Sequence, residues 1–196
     1  MGTQWSIIWG QLRCDGYRIL ALIAIAIAGA MAVLWENNQL YVALAGIAAM
    51  LPAAYLDAKY YHLYHRLTSG ILVWGILVSA IAGSFGCSHR LEAAVAGMAC
   101  LGGLFLLLYL LTGQLGFGDV CYGAALGTFL GWQGAMLTFV LTFLLGMSAA
   151  MREYLYYACH GRRRCRALPL GPFMAGGAYI TLLWGQELIG WYIGMF

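Results

Sequence analysis

Charge is what this chain has least of. Lys, Arg, Asp and Glu together make up 9% of its 196 residues, too few to coat a soluble surface. The hydrophobic share is 63%, so lipid is the solvent that suits the exterior. No polar stretch is long enough for a sizeable soluble domain, and one domain buried in the bilayer is expected over residues 1–196. The few basic residues are not interleaved with aromatics along a groove, which excludes nucleic acid as a partner. Catalytic signatures are also scarce. There is no G-x-S-x-G for a serine nucleophile, no H-E-x-x-H for a metalloprotease and no C-x-x-C pair. The six cysteines fall mostly on one presumed side, which argues against a disulfide framework. Cys159 and His160 stand near Cys165, but the arginines between them oppose a metal, so no metal is expected. The N-terminal Met1-Gly2-Thr3-Gln4-Trp5-Ser6 fits a loose myristoylation pattern, read here as chance.

What is present is a series of apolar runs. Ile19 to Trp35 nearly crosses a ~30 Å hydrocarbon core at ~1.5 Å per residue. It is too long and too uniformly apolar for a cleaved signal peptide, so an uncleaved first span is expected. The polar turn Glu36-Asn37-Asn38-Gln39 follows. A second span runs from Leu40 to Leu56 and ends at Asp57, with a short polar and aromatic connection from Ala58 to Arg66. Leu67–Gly86 and Ala93–Thr112 are the third and fourth spans. Val120 to Met151 carries no charge and would be about 48 Å long as one helix, too long for one crossing. A turn at Gly131-Trp132-Gln133-Gly134 would divide it. Arg152 to Pro172 is expected as a basic loop, and Phe173 to Phe196 as the last span. These readings predict an all-α bundle of about seven transmembrane helices.

Orientation follows from the basic residues. With alternating spans, nine of the ten fall on one side and only Arg90 on the other. The positive-inside rule makes the first side, and the N-terminus, cytoplasmic. The Arg162 to Arg166 run would then orient the chain and touch anionic lipid. Asp57 closes an inward-going span and Asp119 opens an outward-going one, so both lie at the cytoplasmic boundary.

Asp15, Glu36, Glu92 and Glu153 lie in loops, and Glu187 lies near the outer end of the last span. Asp57 and Asp119 instead abut long apolar stretches. A single Asp at a span end is ordinarily a boundary marker. Two brought close repel when both are ionised, so one would hold a proton and the other stay charged. Such a pair can hydrolyse a peptide: the charged member takes a proton from water, and the neutral member donates to the scissile carbonyl oxygen. Gly116-Phe117-Gly118 precedes Asp119, and glycine permits close backbone approach. G-x-G-D by itself is a weak signal. His62, His65, Tyr61 and Tyr64 read as interfacial side chains. Tyr61, Tyr64 and His65 would share a face with Asp57 if that helix continued.

Leu111-Thr112-Gly113-Gln114-Leu115-Gly116-Phe117-Gly118-Asp119-Val120, with Leu126-Gly127 and Leu130-Gly131-Trp132 beyond, resembles the G-x-G-D block of type IV prepilin peptidases. Leu56-Asp57-Ala58-Lys59, followed by Leu67-Thr68, resembles that family's first aspartate motif. Leu168-Pro169-Leu170-Gly171-Pro172-Phe173 resembles its late P-x-G-P-F segment. The three blocks occur in the family's order, and the resemblance covers residues 40–196, leaving 1–39 as an extra N-terminal span. It implies that Asp57 and Asp119 are catalytic and that Gly116, Gly118 and Lys59 shape the site. It further implies a multi-pass protein of the bacterial inner membrane that needs no cofactor. The implied substrate is a prepilin or pseudopilin precursor of a type IV pilus or type II secretion system, cut after a glycine to release a basic leader. Two features depart from the family. Leu63-Tyr64-His65 stands where an Ile-Pro-Asn-like triplet is usual, which bears on the loop geometry. The paired C-x-x-C zinc insert is missing, so a short, peptidase-only form without zinc or N-methylation is expected. Two other functions are compatible with the same residues: a transporter or proton relay carrying ions on the two acids, and a non-catalytic pilus-assembly factor.

Overall fold

The structure is a computed structural model that describes residues 16–34, 40–61, 63–84, 89–113, 115–160 and 169–195. The turn at 36–39, His62, Cys14, Cys87, Asp15 and the Arg162–Arg166 run with Cys165 lie outside these residues. The described chain is helical: α1 Gly16–Leu34, α2 Leu40–Tyr60, α3 His65–Ser84, α4 Arg90–Thr112, α5 Phe117–His160 and α6 Gly171–Ile193. Five of these, α1 to α5, are long and apolar enough to cross a membrane, which makes this a multi-pass membrane protein. The last helix is not among the five, although Phe173 onward reads as a span.

Several boundaries differ from the sequence expectation. Helix α2 carries through Asp57 to Tyr60 and stops where Tyr61 takes the left-handed φ of 54°. Tyr61 still donates its N–H to the Asp57 carbonyl at 2.8 Å, but the left-handed residue ends the helix, so Tyr64 and His65 do not continue the Asp57 face. Helix α5 runs on to His160, so Arg152 and Glu153 are helical and do not begin a loop.

The longest helix resolves the problem of its own length. Its 44 residues would span about 66 Å if straight, roughly twice a bilayer core. Gly131, at φ 71° and ψ 175°, breaks it within the expected turn, using one residue where four were anticipated. Glycine is needed there because a side chain disfavours that backbone. The first half descends along α4 in the opposite sense: Gly127 meets Gly97, Ala124 meets Gly102, and Gly123 meets Phe105. The second half brings Phe139 and Phe143 back to the same Phe105, with ring centroids 5.5 and 6.3 Å away. The two halves therefore lie side by side and run in opposite directions. Near the break, Arg90 Nη2 donates to the Phe129 carbonyl at 2.6 Å, a group whose usual helical donor lies beyond Gly131.

Between apolar helices in lipid, close packing and short polar links replace the hydrophobic effect. Gly97 and Gly127 set backbone on backbone, with no room for a Cβ at either position. Ser79 donates to the Thr128 carbonyl at 3.2 Å, and Gly75 makes room for the Thr128 side chain. Thr138 donates to Thr181 at 3.0 Å, joining the second half of α5 to α6. Each such interhelical hydrogen bond contributes about 0.6 kcal/mol. Helix α1 packs along the edge, where Tyr179 of α6 donates to the Ala26 carbonyl at 3.2 Å. Gly97→Ala is expected to cost about 2 kcal/mol and lower the melting temperature in detergent by several degrees. Gly103→Ala, whose Cβ would enter open space, should melt with the parent protein.

Candidate active site

One face of α2 and one face of the first half of α5 determine where the two aspartates meet. Along α2, Gly46, Met50 and Asp57 follow at helical spacing, and along α5 Asp119, Tyr122 and Phe129 do the same. The faces pair in order. Phe129 packs on Gly46, where an added Cβ would sit 3.2 Å from its ring. Tyr122, fully buried, donates its hydroxyl to the Met50 carbonyl at 2.9 Å. The next pair along is Asp57 and Asp119, close enough for the Asp57 charge to act on the second carboxylate. Their meeting follows from packing beneath them, because the Tyr122 bond to Met50 fixes the rotation of α5 about one turn from Asp119 and of α2 about two turns from Asp57.

Each carboxylate also occupies a helix N-terminus, where unpaired N–H groups favour negative charge. Asp119 is the third residue of α5. Its Oδ2 reaches back to the Gly116 N–H at 3.3 Å, the half of a capping box that a glycine at the helix start permits, while its own N–H closes the first turn on the Gly116 carbonyl at 3.0 Å. Asp57 is 5% exposed, and its Oδ2 accepts the N–H of Gly171, the first residue of α6, at 2.8 Å. Such a placement contributes up to about 2 kcal/mol per carboxylate in partly buried sites.

The glycines of the G-x-G-D block differ in function. Gly118 is buried, and a Cβ there would press at 3.0 Å on both the Leu63 side chain and its carbonyl. The connection after Asp57 is thereby packed against the start of α5. Gly116 is exposed, and a Cβ there would meet the Asp119 carboxylate at 3.2 Å. The Gly113 φ of 63° ends α4 and turns the chain toward α5, and its N–H donates to the Tyr109 carbonyl at 2.9 Å. Lys59 lies on the exposed side of α2, with its ammonium 5.4 Å from the Tyr60 ring centre. Within the divergent triplet, the His65 ring lies tilted at 52° to that of Phe117, centroids 5.7 Å apart, and the Tyr64 carbonyl accepts the N–H groups of Leu67 and Thr68 to start α3.

The sequence singles out Asp57, Asp119, Gly116 and Gly118, and the structure brings all four into one neighbourhood. It adds Leu63, Tyr122 and Gly171. Gly171 carried a signal, a glycine before proline at a helix start. Tyr122 carried none, since its partner, the Met50 carbonyl, lies on another helix. Among the described residues no group of three or more His, Cys, Asp or Glu could hold a metal ion.

Three curated relatives give the chain its context, each described as a prepilin leader peptidase/N-methyltransferase. The protein from Aeromonas hydrophila is 28% identical over 97% of this chain and 69% of its own length. That from Dichelobacter nodosus is 28% identical over 98% of this chain and 68% of its own. That from Legionella pneumophila is 32% identical over 80% of this chain and 54% of its own. No solved structure matches the chain significantly. Residues 44–151 match the model of the type IV leader peptidase family. That match begins in α2, takes in both aspartates and the break at Gly131, and covers more than half of the sequence, so the chain belongs to the type IV leader peptidase family.

Proposed function

We propose that this chain is an aspartic endopeptidase that removes the leader from a prepilin or pseudopilin precursor, with Asp57 and Asp119 as its catalytic pair. Its place in the type IV leader peptidase family supports the activity. The observation that carries the residue assignment is the pairing of Asp57 and Asp119 at two helix N-termini, within electrostatic reach of each other. Two carboxylates brought close favour one shared proton.

The reaction needs only this pair and a water. The ionised carboxylate removes a proton from water as the water oxygen bonds to the scissile carbonyl carbon. The protonated partner gives its proton to the carbonyl oxygen. The tetrahedral species then collapses: its hydroxyl proton returns to one carboxyl group, the C–N bond breaks, and the departing nitrogen takes the proton first removed from water. The exposed Gly116 backbone beside Asp119 leaves room for an extended substrate strand. In this reading the protein sits in the bacterial inner membrane with seven crossings and a cytoplasmic N-terminus. Nine of its ten basic residues then lie on the side of the carboxylates. Lipids surround the bundle, and neither a metal nor another cofactor takes part.

Purified protein in liposomes, given candidate prepilins, should release a product whose new N-terminus begins directly after the leader. Asp57→Asn and Asp119→Asn should each lower the cleavage rate by at least about a thousandfold while inserting normally. A chelator should leave the rate unchanged. Either single variant cutting at the parental rate would remove that residue from the mechanism.

Topology is tested separately. In a background without the six native cysteines, a cysteine replacing Arg66 should resist a membrane-impermeant thiol reagent applied to intact cells. A cysteine replacing Arg90 should react. The reverse pattern would place the pair on the wrong face for a cytoplasmic leader.

A further inference from the structure

We propose that Gly171 is a positioning residue for the peptidase reaction, its backbone N–H fixing the Asp57 carboxylate in the attitude that the pair requires. The proposal rests on the catalytic reading of Asp57 and Asp119 above. It concerns a residue of the segment that resembles the family's late P-x-G-P-F block, beyond residues 44–151 that match the family model.

The backbone groups at the start of α6 are addressed one by one. An α-helix leaves its first N–H groups without helical partners. In α6, Phe173 and Met174 donate to the Leu170 carbonyl at 3.1 and 3.0 Å. Pro172 has no N–H to donate. Gly171 is left, and its N–H goes to Asp57 Oδ2 at 2.8 Å in a buried setting. Proline as the next residue therefore does more than open the helix. It removes a competing donor and leaves the Gly171 N–H as the one that the first turn directs at the carboxylate.

The same position tolerates no side chain. A Cβ on Gly171 would lie 2.7 Å from Asp57 Oδ2, 3.0 Å from its Cβ and 3.1 Å from its Cγ. Ordinary contact begins near 3.4 Å, so the carboxylate would have to retreat by several tenths of an ångström. Misplacing a reacting group by about 1 Å costs on the order of a hundredfold in rate. Close approach and hydrogen bonding thus make one requirement, which only glycine meets. Because α6 is anchored to the second half of α5 through Thr181 and Thr138, Asp57 is tied to a part of the bundle remote from its own helix.

The experiment measures kcat and KM for a prepilin precursor with Gly171→Ala, with Gly176→Ala and with Asp57→Asn, all reconstituted in liposomes. Gly176 is in the same helix, and its Cβ would make an ordinary 3.4 Å contact with Leu145. Gly171→Ala should lower kcat about a hundredfold with KM within twofold, and Gly176→Ala should change neither. Replacing the Gly171 residue with glycolic acid swaps the amide for an ester. This removes the N–H, adds no bulk and should lower kcat about tenfold even if the alanine variant fails to fold. Parental kcat in the ester variant would overturn the proposal, as would a Gly171→Ala loss confined to the yield of folded protein. Either result, with Asp57→Asn inactive, would leave the aspartate assignment standing. An active Asp57→Asn would instead remove the reading on which the proposal rests.

Discussion

Bringing two carboxylates together inside an apolar bundle opposes folding, because each loses water and each repels the other. Something must hold them there, and in this protein it is the face-to-face contact of α2 with the first half of α5. Phe129 on Gly46 and Tyr122 on the Met50 carbonyl lock the two helices in rotation and depth. Asp57 and Asp119 are carried on the same faces. The helix N-termini of α5 and α6 offset part of the cost, each giving one backbone N–H to one carboxylate.

Much of the remaining fold serves that contact. The break at Gly131 lets α5 return along its own first half, and the returning half presents Thr138 to Thr181 of α6. Helix α6 is thereby placed so that Gly171 reaches Asp57. The connection after α2 is pinned by Leu63 against Gly118. Three sequence blocks that are far apart in the chain thus share one neighbourhood: the first contributes Asp57, the second Asp119, and the second and third contribute Gly118 and Gly171, where a Cβ would press on Leu63 and on Asp57.

The sequence carried the aspartates and the helical bundle plainly, for physical reasons. An acid abutting a long apolar run stands out in a chain with so little charge, and the asymmetry of basic residues put both acids on one side. The turn in the long uncharged segment was also legible from length alone. Other features could not be read. That α2 would end at Tyr61 depends on one left-handed residue that no glycine announces. That α5 would continue past Arg152 to His160 runs against the charge that marks the segment as a loop. Contacts such as Tyr122 to Met50 and Gly171 to Asp57 depend on how helices rotate against one another. Hydrophobic periodicity says little about that when a helix is apolar all round, as these are.

The central claim is that Asp57 and Asp119 work as one unit on a single water. A double-variant cycle on precursor cleavage tests it most directly, comparing the two single Asn variants with the variant that carries both changes. If the pair acts as a unit, all three should share the same residual rate, since removing either half already removes the whole device. Losses that multiply in the double variant would mean that the two residues contribute independently, and would contradict the account.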